Sequence, residues 1–267
     1  MTTPSTSSSE GIPLDADSSS EGKRSDTDKW ARKVSALKLG PMPSGALNLN
    51  VQGKQPVSPL QGFGSMWQKT YRVRLKGVKV LPTGVIKVWK EHFPEFWPKG
   101  NRFYGPLTGI APGEVGLINM ALPGGAPLST GVMVMYADEE SFTFMTPQGH
   151  MFAGWITFSA YEEDERAVAQ VQVLIRANDP IYELGFRLGA ARSEDHFWQH
   201  TLRSLAAYFG LEEAQVETQA ICVDRKLQWS QAKNVWHNAG VRTTLYLMTT
   251  PMRAPLRWMR KRSRPTT

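Results

Sequence analysis

Histidines and a lone cysteine carry most of the chemistry open to this 267-residue chain, and their spacing limits it. His196 and His200 stand four residues apart in a segment of helical periodicity, the separation that lets two imidazoles share a metal ion. The glutamate that would act as general base between them is missing. Phe197 and Trp198 look like core, so the simpler reading is an exposed polar face, and neither a metal nor another cofactor is expected. His150 opens a strand directly after Gly149. An imidazole at a strand end could orient a ligand or move a proton, while a bond to a neighbouring carbonyl is the structural alternative. Cys222 is the only cysteine, which rules out a disulfide within the chain and fits a reducing compartment.

Other apparent motifs fail on their context. The acidic run Glu162 to Glu165 imitates a carboxylate pair, but consecutive charges in a hairpin turn are solvated. Gly62-Phe63-Gly64 has neither a preceding strand nor a third glycine at dinucleotide-binding spacing. The chain contains no Gly-x-Ser-x-Gly elbow and no P-loop, which removes most of the ground for hydrolase or kinase chemistry.

The net charge of +7 is concentrated at one end. After Asp224 there is no acidic residue but ten Lys and Arg. Taking these ten from the 31 leaves 21 basic against 24 acidic residues in the rest of the chain. Any attraction to acidic lipid or nucleic acid therefore belongs to the tail. There Met252, Leu256 and Met259 share a helical face while Arg253, Arg257 and Arg260 share another, with Lys261 and Arg262 following. A solubilising end is the leading reading; among partners, an anionic membrane surface suits this pattern better than nucleic acid, whose phosphates attract the same arginines. The start of the chain shows no secretory leader and no window offers ~18 uninterrupted apolar residues, so a soluble, cytoplasmic protein is expected, peripheral at a membrane if the tail engages one.

The elements that would position these residues follow from periodicity. Residues 1–66 are rich in Ser, Thr, Gly and Pro and too poor in apolar residues to offset the entropy of ordering, so a disordered arm is expected. From Trp67, Tyr71, Val73 and Leu75 alternate with Arg72, Arg74 and Lys76, a strand with one wet face. Val85, Trp89 and Phe93 share a short helical face that Pro94 stops. Six strands are then predicted at about 103–110, 114–121, 130–136, 141–145, 151–161 and 167–176, separated by turn residues that favour antiparallel hairpins. The strands at 131 and 151 are apolar on both sides, and the chain beyond residue 211 is the first candidate to cover their outer face. Asp179-Pro180 reads as N-cap and first residue of a helix running to Phe209, its apolar stripe including Ile181, Leu184, Leu188, Leu202 and Leu205. Gly185 and Gly189, one turn apart, would let that helix approach the sheet closely.

Strand, two short helices, six strands and a long helix is an element order that resembles the START-like, polyketide-cyclase-like helix-grip superfamily, in particular a branch with a Gly-His strand motif. The resembling residues are Gly149-His150, Gly154-Trp155, Asn178-Asp179-Pro180 and the Gln199 to Tyr208 part of the helix. The resemblance implies an α+β helix-grip domain at residues 67–210: a curved antiparallel sheet of about seven strands, with the long helix across its concave face and an apolar cavity between. Residues 211–267 would form a basic helical extension. The expected function is binding of an apolar small molecule or lipid, walled by Trp89, Tyr104, Met133, Phe144, Trp155 and Phe186 with His150 as polar contact. The alternatives are an enzyme of cyclase, dehydratase or hydrolase type using His150 or Asn119 in the same cavity, and an interaction protein whose cavity is filled by its own side chains. The superfamily shares no catalytic residue, so none is transferred.

Overall fold

Alternating residues that satisfy two different faces build one sheet. The computed structural model describes residues 26–122 and 125–262, with side chains described as far as residue 250. The strands are β1 (Met66–Arg74), β2 (Arg102–Tyr104), β3 (Val115–Ala121), β4 (Pro127–Ala137), β5 (Ser141–Met145), β6 (Phe152–Glu163), β7 (Arg166–Ala177) and β8 (Val216–Asp224). They form an antiparallel sheet in the order β2-β3-β4-β5-β6-β7-β1-β8. Helix α1 (Pro82–Glu91) and a 3-10 turn (Phe93–Phe96) fill the connection from β1 to β2.

The gripping helix begins where Asp179 caps it, accepting the backbone N–H groups of Ile181 at 2.8 Å and Tyr182 at 3.1 Å. It is not continuous. Helix α2 (Pro180–Gly185) passes through a π-helical turn (Phe186–Ala190) into α3 (Ala191–Tyr208). Gly189 takes φ +120°, a conformation that side chains with a Cβ rarely adopt, and places the kink there. A Cβ at either Gly185 or Gly189 would meet nothing within 4 Å, so these glycines make a bend and not the expected close approach to the sheet.

The sheet buries both faces. On the concave side Tyr71, Val73, Phe142, Phe144, Ile156 and Phe158 join Trp89 and Phe93 of the β1–β2 connection and Leu202 and Leu205 of α3. Phe93 packs edge-on against Phe103, Phe142, Phe144 and Phe158 with ring centroids 4.9–5.7 Å apart, a geometry favoured by the ring quadrupole. On the convex side Val115, Leu117 and Met133 pack against Leu37 and Val51.

Three expectations change here. The stretch 26–65, expected to lack order, supplies the convex-face cover: Leu37 and Val51 are each 1% exposed and Val57 4%. Its few apolar residues suffice because the sheet provides the other half of the contact. The sheet has eight strands, β8 lying in what was expected to be a helical extension. The strand expected at 103–110 shortens to three residues, Arg102–Tyr104.

The extension then folds back. A 3-10 segment (Trp229–His237) leads into α4 (Ala239–Arg262), and a polar lock holds the turn. Asn238 donates to the Asp179 carboxylate at 2.9 Å, the Tyr182 hydroxyl accepts the Gly240 N–H at 2.9 Å, and Asn50 donates to the Ser129 carbonyl at 2.8 Å and the Thr243 hydroxyl at 3.1 Å. The convex cover therefore comes mainly from the N-terminal segment, with α4 closing the Ser129 end of β4.

Candidate functional site

A cavity of about 1420 Å³ lies between the sheet and the helix that bends at Gly189. The floor is apolar: Ile118 and Met120 of β3, Phe144 of β5, Ile156 of β6, and Val173 and Ile175 of β7. The roof is Phe186 and Leu188 of the π-turn with Phe197 and Trp198 of α3, and one side is closed by Val241, Leu245 and Met248 of α4. Phe152 stacks on Phe186 with centroids 4.7 Å apart and planes 5° from parallel.

The residues expected to wall a pocket divide into two groups. Phe144, His150, Trp155 and Phe186 border the cavity. Trp89 does not: it is fully buried, edge-on to Phe142 and Phe158. Met133 and Tyr104 face the other way, packed in the convex cluster with Leu37 and Val51. One residue of strand parity decides this, because Val132 and Val134 take the concave side. Asn119 likewise alternates with Ile118 and Met120 and does not border the cavity. The side chains of Arg253, Arg257, Arg260, Lys261 and Arg262 lie outside the described residues. His196 and His200 border the cavity, and among the described residues no group of three or more His, Cys, Asp or Glu could hold a metal.

His150 is 7% exposed. Its Nδ1 lies 3.0 Å from the Phe152 backbone nitrogen and 3.2 Å from the Phe152 carbonyl oxygen, which ties the ring to the start of β6. Burial pushes its pKa down to about 4, against a smaller opposing effect of the Phe152 backbone. At neutral pH it is an uncharged hydrogen-bonding group in an apolar wall.

A second set of polar residues lies under α3. Lys69 Nζ donates to Glu194 at 2.9 Å and to Asp195 at 2.8 Å, and the Tyr71 hydroxyl donates to the same Asp195 oxygen at 2.7 Å. Burial opposes the Lys69 charge, but two carboxylates outweigh it and hold its pKa above the ordinary value. Burial raises the pKa of Glu194, the deeper of the two carboxylates, because one shared ammonium compensates it only in part. These residues escaped the pattern analysis, although a signal was present: Lys69 is in phase with Tyr71 and Val73, which puts a lysine on the buried side of β1.

No protein-family model and no curated protein matches this chain. Among solved structures it is similar to a START superfamily protein from Mycobacterium smegmatis, at 16% identity over 55% of this chain and 98% of that one, with a TM-score of 0.38. Major latex-like protein 151 from Panax ginseng is matched at 15% identity over 55% and 99%, TM-score 0.36. The di-domain ARO/CYC StfQ from the steffimycin biosynthetic pathway is matched at 11% identity over 55% and 51%, TM-score 0.39. At such distances no activity follows from the likeness, and the architecture stands on its own strand order and helix. The chain has the helix-grip fold. Its helix-grip cavity is open, not filled by the protein's own side chains.

Proposed function

We propose that the protein binds an apolar small molecule or lipid in the cavity between sheet and gripping helix. One observation carries this reading: about 1420 Å³ of space with a mainly apolar lining lies between the sheet and the kinked helix. Space of that size and lining favours apolar occupants, since each buried CH₂ contributes about 0.8 kcal/mol. His150 is the polar contact in the wall. A reaction in the same cavity is the weaker reading, because Asn119 does not border it and a histidine with a pKa near 4 is a poor proton carrier at neutral pH.

The mouth supports a peripheral contact of a cytoplasmic protein with an anionic membrane. Ile181, Leu188, Leu245 and Met248 border the cavity, yet they are 48%, 79%, 57% and 66% exposed. Leu245 and Met248 put part of this apolar rim on the helix that runs into the arginine-rich tail, which favours lipid over nucleic acid. Among the described residues no helix is long and apolar enough to cross a membrane.

Native mass spectrometry of the purified protein tests the first part. The expected result is an adduct removed by organic solvent, or saturable uptake of added oleyl compounds; neither would leave the binding proposal without support. Cosedimentation with phosphatidylserine vesicles tests the second, and should fall when residues 251–267 are removed.

A further inference from the structure

The segment that covers the convex face and the start of α4 meet along a seam to which neither side contributes an acid. Between Asp28 and Glu91, and again after Asp224, the chain has no Asp or Glu. Asn50 joins the two sides: its side-chain oxygen accepts Arg242 Nε at 2.9 Å and its amide donates to the Ala239 carbonyl at 3.3 Å. Four residues further on, the Lys54 backbone is fixed at both ends of its peptide. Its carbonyl accepts the Leu37 N–H at 2.7 Å, and its N–H donates to the Val51 carbonyl at 3.0 Å. Lys54 Nζ then lies 3.5 Å from His237 Nδ1. The seam thus gathers Lys54, His237 and Arg242.

These three side chains lack what the other clustered cations have. Lys69 is paired with Glu194 and Asp195, Arg74 with Glu163 and Glu217, and Arg176 with Asp224. Among the described residues Lys54, His237 and Arg242 form no ion pair, and the Nη atoms of Arg242 make no hydrogen bond. Their charges act on one another instead. Burial and then the Arg242 charge lower the Lys54 pKa; burial and then the Lys54 and Arg242 charges lower that of His237. Backbone groups offer no substitute, because the first N–H groups of α4 are spent on the Gly149 carbonyl, the Tyr182 hydroxyl and Asn238. Recognition at the seam falls to the side chains.

We propose that Lys54, His237 and Arg242 bind a phosphate monoester, at a site separate from the apolar cavity. A monoester carries about −1.5 to −2 charges at pH 7 on three terminal oxygens, which matches one ammonium and one guanidinium. The guanidinium fork can take two of those oxygens, and the lysine and the imidazole are left for the third. A carboxylate or a nucleic-acid phosphodiester brings a single charge and would leave one cation uncompensated. Trp236, next to His237 in the chain and 80% exposed, is a side chain suited to the headgroup level of a bilayer. The monoester is therefore either a lipid headgroup or a soluble phosphate.

Calorimetric titration at pH 7 and constant ionic strength tests the site with glycerol 3-phosphate, dimethyl phosphate and acetate. Glycerol 3-phosphate should bind saturably and about tenfold or more tighter than the other two. Lys54→Gln should weaken it about tenfold, the loss of one charge-assisted hydrogen bond, while uptake of N-phenyl-1-naphthylamine by the cavity stays unchanged. In NMR titrations of the wild type, the His237 pKa should rise when glycerol 3-phosphate is bound. Equal affinity for the three anions, no saturable binding, or full affinity in Lys54→Gln would overturn the proposal and leave the cavity reading intact. Phosphatidylcholine vesicles carrying phosphatidate or phosphatidylglycerol at matched surface charge separate the sources. A preference for phosphatidate that Lys54→Gln abolishes assigns the lipid headgroup, and glycerol 3-phosphate binding without that preference assigns a soluble monoester.

Discussion

The two halves of the gripping helix carry similar apolar stripes and lead different lives. In α3, Leu202 and Leu205 are fully buried against the aromatic cluster around Phe93. Before the kink, Ile181 and Leu188 are 48% and 79% exposed at the border of an open cavity. The same periodicity therefore marks core in one half and a mouth in the other. What separates them is one glycine with a positive φ, Gly189.

The largest effect should come from the packed half. Phe93→Ala removes a ring that contacts five others and is expected to cost about 3–5 kcal/mol in urea unfolding. A loss below about 1 kcal/mol would show that this half is as loosely packed as the other. The pH response of His150 comes next. Its folded pKa of about 4 lies below the unfolded value near 6.5, so the unfolded state binds more protons between the two. Stability should be full above about pH 6.5 and fall by on the order of 3 kcal/mol as pH drops to about 4. His150→Asn, whose carbonyl oxygen can still accept the Phe152 N–H, should flatten that part of the profile.

At the start of the helix, Asp179→Ala should cost about 1–2 kcal/mol by releasing the Ile181 and Tyr182 N–H groups and the Asn238 amide. The smallest effect on stability belongs to the mouth. Leu188→Gln should change unfolding by no more than about 0.5 kcal/mol yet lower vesicle association severalfold. A large stability loss there would erase the contrast between the halves.

Period-two alternation made most of the sheet legible, and Asp179-Pro180 placed the helix start to the residue. What escaped was set by context. Parity alone does not say which face of β4 looks inward, so Met133 was assigned to the pocket although it packs on Leu37 and Val51. The order of residues 31–63 depends on a sheet face that only tertiary structure provides. Strand β8 is an edge strand with six of its nine residues exposed, so burial left little pattern to read. Phe144, His150, Trp155 and Phe186, expected from residue type and position, border the cavity. Lys69 and Glu194 were not expected, because a buried ion pair between residues 125 apart has no local signature.

The central claim is that the space under the kinked helix accepts an apolar ligand. Its most direct test is a fluorescence titration with the uncharged probe N-phenyl-1-naphthylamine, run on the wild type and on Met120→Trp, which places a larger ring on the cavity floor. Saturable binding to the wild type, weakened at least tenfold in the variant at an unchanged unfolding midpoint, is the expected result. Equal binding by both proteins, or none by the wild type, would contradict it.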